Sequence, residues 1–191
     1  MKTTSIMIVG VGGQGTLLAS KLLGKLLLDE GYDVKVSEVH GMSQRGGSVV
    51  TYVRYGEKVY SPVITEGEAD YIVSFEKLEA ARYLSCLAKN GQIIVNTQEI
   101  DPMPVITGNA EYPSDILEKI KAAAIKLDAL DALTLAEQAG SSKAVNIVLM
   151  GRLAHYLGIE KEKWLSAIET SVKPAFVELN KKAFELGYAQ K

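Results

Sequence analysis

The 191-residue sequence predicts an α/β fold: a Rossmann-like, mixed but mostly parallel sheet with flanking helices and a helical C-terminal segment. Three observations carry this. Short β-branched apolar runs alternate with longer helical patterns from the start of the chain to about residue 127. The first such run ends in a glycine-rich turn that leads straight into a leucine-rich helix. From Ser142 onward only helical periodicity remains.

In chain order, "TSIMIVG" reads as a buried strand ending at Gly10, and "GTLLASKLLGKLLLDEG" as a helix stopped at Gly31. Leucines cover more than one face of that helix, which suits packing between a sheet and a further layer. "YDVKVSEVH" alternates as a second strand, followed by the polar loop "GMSQRGG". "SVVTYVRYG" and "KVYSPVI" read as two strands joined in a hairpin at "YGEK", which makes the sheet mixed. "ADYIVSFE" is a strand, "KLEAARYLSCLAKNG" a helix closed by Asn90-Gly91, and "QIIVNT" a further strand. Pro102, Pro104 and Pro113 mark loops. "DILEKIKAAAI" is a helix running into a strand near Ala124–Leu127. Three helices follow, with Pro174 in the first turn of the last. No repeat or linker interrupts the pattern, so residues 1–191 read as a single domain.

Hydrophobic residues make up 47% and charged residues 23%, which is the balance of a soluble globular protein. The formal net charge of -2 and the lack of a basic run argue against nucleic acid. No apolar stretch approaches the roughly 18 residues of a membrane span. Gly10 interrupts the place where a signal peptide would run on, so the expected location is cytoplasmic. The one cysteine, Cys86, reads as a small core residue in a helix. It cannot hold an iron–sulfur cluster, which takes about four thiolates.

Two loops carry the functional signal. In "IVGVGGQG", Gly10, Gly12 and Gly15 satisfy the dinucleotide spacing, and Glu38 stands near the end of the second strand, where an acid would meet a ribose hydroxyl, although it reads rather as a carboxylate that anchors the loop. Gly13 and Gln14 make the loop more particular than the generic fingerprint. Three readings stay open on pattern alone: NAD or FAD, another phosphate-bearing ligand, or a tight turn that serves only packing or an interface. The second loop, within "SEVHGMSQRGGSVVTYVRYG", sets His40, Ser43, Gln44 and Arg45 ahead of Gly46 and Gly47. Arg45 offers a planar fork for phosphate or carboxylate. His40 has the pKa range of an acid–base group, but it reads rather as a loop hydrogen bond or an interface contact than as a catalytic group. His155 reads as structural, Trp164 and Tyr156 as core or partner surface, and "EKEKW" as the solvated start of a helix.

Taken together, the two loops, with "EADYIVSFEKLEAARYL" and "NIVLMGRLAHYLG", resemble the gamma-type subunits of the 2-oxoacid:ferredoxin oxidoreductases. The resemblance spans essentially the whole chain. "SEVHGMSQRGGSV" points to the indolepyruvate branch, with pyruvate, 2-oxoglutarate and branched-chain oxoacid branches as alternatives. It implies a hetero-oligomeric complex that converts a 2-oxoacid and coenzyme A to an acyl-CoA, carbon dioxide and reduced ferredoxin. Thiamine diphosphate and iron–sulfur clusters then sit on a large partner subunit, in keeping with one cysteine and no G-D-G thiamine motif here. The resemblance further implies that this chain holds no cofactor tightly, has no metal site and is inactive alone. Gly12, Gly13, Gln14 and Gly15, with Ser43, Gln44, Arg45, Gly46 and Gly47, become candidates for contact with coenzyme A or the partner. A free-standing NAD(P)- or flavin-binding protein remains the competing reading.

Overall fold

The computed structural model describes residues 3–38 and 46–190. In chain order its elements are β1 (Thr4–Val11), α1 (Thr16–Asp29), β2 (Asp33–Glu38), β3 (Ser48–Gly56), β4 (Ala69–Ser74), α2 (Lys77–Arg82), β5 (Leu87–Asn96), α3 (Met103–Ile106), α4 (Ile116–Ala122), β6 (Lys126–Leu130), α5 (Ala132–Ala139), α6 (Val145–Leu157), α7 (Lys161–Ser171) and α8 (Val177–Tyr188). The strands form one sheet in the order β2-β3-β1-β4-β5-β6. β1, β4, β5 and β6 pair in parallel. β3 lies antiparallel to both β1 and β2, so it alone runs against the rest.

The mixed, mostly parallel sheet is as expected, but its antiparallel element is not the hairpin at "YGEK". β3 ends at Gly56, and residues 57–68 form no strand. Side chains pin that segment instead. The Val59 N–H donates to Asp33 Oδ2 at 2.9 Å, and Arg54 Nη1 donates to the Val63 carbonyl at 2.7 Å. Val59 and Ile64 are buried beneath it. Pro62 lacks the N–H that a ladder would need.

β1 shows why its sequence is apolar throughout. Ile6 and Ile8 face one side and Met7 and Val9 the other, and both sides are covered. On the first face α1 and the C-terminal helices pack, through Leu22, Leu23, Ile147 and Val148. On the second lie Ala80 of α2 and Ile116 and Ile120 of α4. α6 is buried from Val145 to Ala154, because the sheet lies beneath it and α8 crosses above it. Trp164 is fully buried and stacks on Phe184 at 5.7 Å, so it belongs to the core. Tyr156 is partly buried against the same core. His155 is exposed, with its ring edge-on to Tyr156 and Tyr188.

Two further elements depart from expectation. The helix predicted to reach Asn90-Gly91 ends at Arg82, and a 3-10 turn over Leu84–Cys86 leads into β5 at Leu87. Leu87 pairs with Ala69, and a register shift follows before Tyr71 pairs with Gln92. Cys86 is therefore half-buried in a turn and is no core residue. α5 occupies a stretch where no helix was expected; Asp131 caps it by accepting the Thr134 N–H at 3.0 Å. Among the described residues, no helix is long and apolar enough to cross a membrane.

Candidate functional site

β1, β4 and β5 run parallel, and their C-terminal ends share one edge of the sheet. Ligands of open α/β sheets gather at such an edge. Both glycine loops arrive there. The Gly12 N–H donates to the Gly47 carbonyl at 2.8 Å, and the Gly46 N–H donates to the Gly12 carbonyl at 3.2 Å. These bonds carry the β1–β3 ladder past its last pair, Val11 with Ser48. Gly12, Gly46 and Gly47 are thus joined by backbone alone. His40, Ser43, Gln44 and Arg45 lie outside the described residues.

Gln14 is a candidate that turns inward. Its Oε1 accepts the Val11 N–H at 2.8 Å, and its Nε2 donates to the Phe75 carbonyl at 3.0 Å. The side chain passes close over Gly10, where an added Cβ would sit 2.9 Å from Gln14 Oε1 and 2.9 Å from Phe75 Cβ. Asn96 continues the seam: its Nδ2 donates to the Phe75 carbonyl at 3.1 Å, and its Oδ1 accepts the Ala132 N–H at 3.1 Å. The ends of β1, β4 and β5 and the start of α5 are therefore locked through two amide side chains.

Gly15 opens α1 with φ of +86°. Its carbonyl accepts from Asn146 Nδ2 at 3.2 Å, and an added Cβ would lie 2.8 Å from that nitrogen. Gly15→Ala therefore combines left-handed strain with a displaced Asn146, and it should cost about 2 kcal/mol. Urea unfolding reads this as a lowered midpoint at constant slope; an unchanged midpoint would refute it.

Gly13 is exposed and forms the ridge between two clefts. One, of about 270 Å³, is lined by Gly12, Thr16, Glu38 and Thr51. Glu38 accepts a hydrogen bond from Ser20 Oγ at 2.6 Å, which anchors the end of β2 to α1. The other, of about 470 Å³, is lined by Gln98, Leu133, Ser142 and Lys143. The first thus carries a carboxylate and the second an ammonium. No acidic residue lies in the first turn of α1, so the positive end of its dipole favours an anion beside Lys143.

The far end of the second loop is held from below. Ser48 Oγ donates to the buried Glu79 carboxylate, which also accepts from Arg82 Nε at 3.1 Å. Glu76, buried one turn earlier, accepts the Glu79 N–H at 3.0 Å, the Ile100 N–H at 3.2 Å and the Tyr112 hydroxyl. Burial, and then the Glu76 carboxylate, push the Tyr112 phenol well above its ordinary value. Sequence reasoning missed Glu76, Glu79 and Lys143. Glu76 and Glu79 stand in capping spacing after a strand; Lys143 follows the serine pair that opens the α6 region. Those were the available signals.

This edge offers backbone N–H groups and amides around two open clefts, one bearing a carboxylate and the other an ammonium; the second suits an anion, and the edge as a whole suits a protein surface. Among the described residues no group of three His, Cys, Asp or Glu side chains could hold a metal.

The same fold is found in the subunits of ferredoxin-linked oxoacid oxidoreductases. The pyruvate oxidoreductase subunit PORC of Thermotoga maritima superposes with a TM-score of 0.75 at 22% identity, over 100% of this chain and 97% of its own. The 2-oxoglutarate:ferredoxin oxidoreductase of Magnetococcus marinus, solved with 2-oxoglutarate, coenzyme A and succinyl-CoA bound, matches at a TM-score of 0.73 and 16% identity, over 99% of this chain and 31% of that one. The chain belongs to the pyruvate ferredoxin/flavodoxin oxidoreductase family, whose model matches residues 5–190. Within it, the indolepyruvate oxidoreductase subunit IorB of Thermococcus kodakarensis is 46% identical over 98% of this chain and 95% of its own.

Proposed function

We propose that the chain is the small subunit of a cytoplasmic 2-oxoacid:ferredoxin oxidoreductase that acts on indolepyruvate or another aryl-pyruvate. The observation that carries this is the 46% identity with an indolepyruvate oxidoreductase subunit along nearly the full length of both chains. The reaction takes a 2-oxoacid anion, coenzyme A and two oxidised ferredoxins to an acyl-CoA, carbon dioxide, two reduced ferredoxins and the proton released from the coenzyme A thiol. Thiamine diphosphate and the iron–sulfur clusters belong to the large subunit. With one cysteine, this chain cannot supply the roughly four thiolates a cluster takes.

The small subunit's own contribution is the glycine-loop edge. Gly12, Gly13, Gln14 and Gly15 shape it, and Ser43, Gln44, Arg45, Gly46 and Gly47 complete it on the coenzyme A side of the reaction. Arg45 engages a coenzyme A phosphate or a partner carboxylate. Selection among oxoacid side chains rests largely with the large subunit's pocket.

Reconstitution tests the reading. The purified chain alone gives no ferredoxin reduction; the complex reduces ferredoxin with an aryl-pyruvate and coenzyme A. A complete complex inert toward aryl-pyruvates would end the substrate assignment. Arg45→Ala raises the KM for coenzyme A or weakens assembly, and a variant unchanged in both would remove Arg45 from the site.

A further inference from the structure

We infer that a groove between α1, the start of α6 and the α7–α8 connection is a docking surface for a carboxylate-bearing, apolar segment of the large subunit. The inference rests on reading the chain as a small subunit. The groove holds about 390 Å³; Leu18, Val172, Phe176 and Leu179 form its apolar lining, and Lys143 and Lys173 stand in its wall.

Three observations select this occupant. The first is Phe176. Of the three phenylalanines, Phe75 and Phe184 are fully buried, while Phe176 is 53% exposed. It sits in the 3-10 turn over Pro174–Phe176, and its carbonyl accepts from the buried Asn180 Nδ2 at 2.7 Å. The backbone beneath the ring is therefore held while the ring faces outward. Rigid aromatic side chains of this kind are typical anchors of protein interfaces.

The second observation is charge. Among the described residues, Lys21, Lys89, Lys121, Lys126, Lys143, Lys173 and Lys182 enter no ion pair. Lys143 and Lys173 are the two of these that line this groove, beside its apolar side chains. Two unpaired ammonium groups on one apolar groove select for a segment that brings acidic side chains with its apolar ones. The third is continuity. Lys143 also lines the cleft beside Gly13, so the groove and the glycine-loop edge form one surface. A partner covering that edge reaches the groove without a gap.

The test uses the co-expressed complex. A photo-reactive benzoylphenylalanine in place of Phe176 should crosslink to the large subunit, at a peptide rich in Asp or Glu among apolar residues. Phe176→Ala should weaken assembly about tenfold or more. Lys143→Glu with Lys173→Glu should slow association and flatten its salt dependence. Unchanged circular dichroism and melting temperature of the free variants establish that they fold. Crosslinking to a second copy of this chain, or to a basic peptide, would overturn the inference, as would variants that assemble like wild type. Failure of the wild-type chain to bind any large subunit would instead defeat the small-subunit reading.

Discussion

Gly151→Ala should lower the stability of the chain by roughly 3 kcal/mol. Gly151 on α6 and Gly187 on α8 sit where the two helices cross. A Cβ on Gly151 would lie 2.1 Å from the Phe184 carbonyl oxygen, and one on Gly187 would lie 2.0 Å from that of Val148. Both obstacles are backbone, so no change of rotamer relieves them. Relief requires one helix to back away, and α6 is already pressed against the sheet. Urea unfolding measures the loss as a fall in midpoint. A wild-type midpoint would show that the helices are not in this close contact. The Gly187→Ala variant should behave alike, and the double variant should lose less than the sum, since both act on one crossing.

Asp128→Ala should be comparably severe, at about 3–5 kcal/mol. Asp128 on β6 pairs with Arg152, which is 5% exposed on α6. Arg152 also donates to the Gln190 carbonyl, and to the Tyr156 hydroxyl at 3.3 Å; that hydroxyl in turn donates to Asp128. Removing the carboxylate strands a buried guanidinium. Asp128→Ala combined with Arg152→Met should recover part of the loss, because no lone charge then remains. The same cluster gives a pH dependence. Burial, followed by the hydrogen bond to Asp128, pushes the Tyr156 phenol from its ordinary 10.0 up to about 12. A group raised in the folded state adds stability below its unfolded value and loses that contribution as pH climbs. Stability should therefore fall between pH 10 and 12, and Tyr156→Phe should shrink that fall. A variant with the wild-type alkaline slope would exclude Tyr156 as the source.

The sheet was legible where periodicity was strong. β1 and β4 lie close to their predicted positions, because a strand buried on both faces must be apolar throughout. The hairpin failed for a reason local pattern does not display. "KVYSPVI" has strand composition, but Asp33 and Arg54 claim its backbone from elsewhere in the sequence. The reach of the helix after β4 was misread because Leu87 belongs to a strand whose apolar run begins only at Ile93. At the site, the glycine spacing announced a turn and a helix N-terminus, and both are present. The direction of Gln14 was not legible, since a polar residue in a glycine loop looks the same whether it serves a ligand or its own backbone. Lys143 was hidden for another reason: only tertiary packing carries it to the edge where Gly13 stands.

The inward amide of Gln14 bears on the thermodynamics of whatever binds beside it. A loop that must organise around its ligand spends conformational entropy at the moment of binding. Here the residues from Val11 to Gly15 are fixed by their own side chain and by Asn146 before any encounter. That part of the surface behaves as a mould already set. The entropy of shaping it is charged to folding, and association at Gly13 is left to depend on fit and charge.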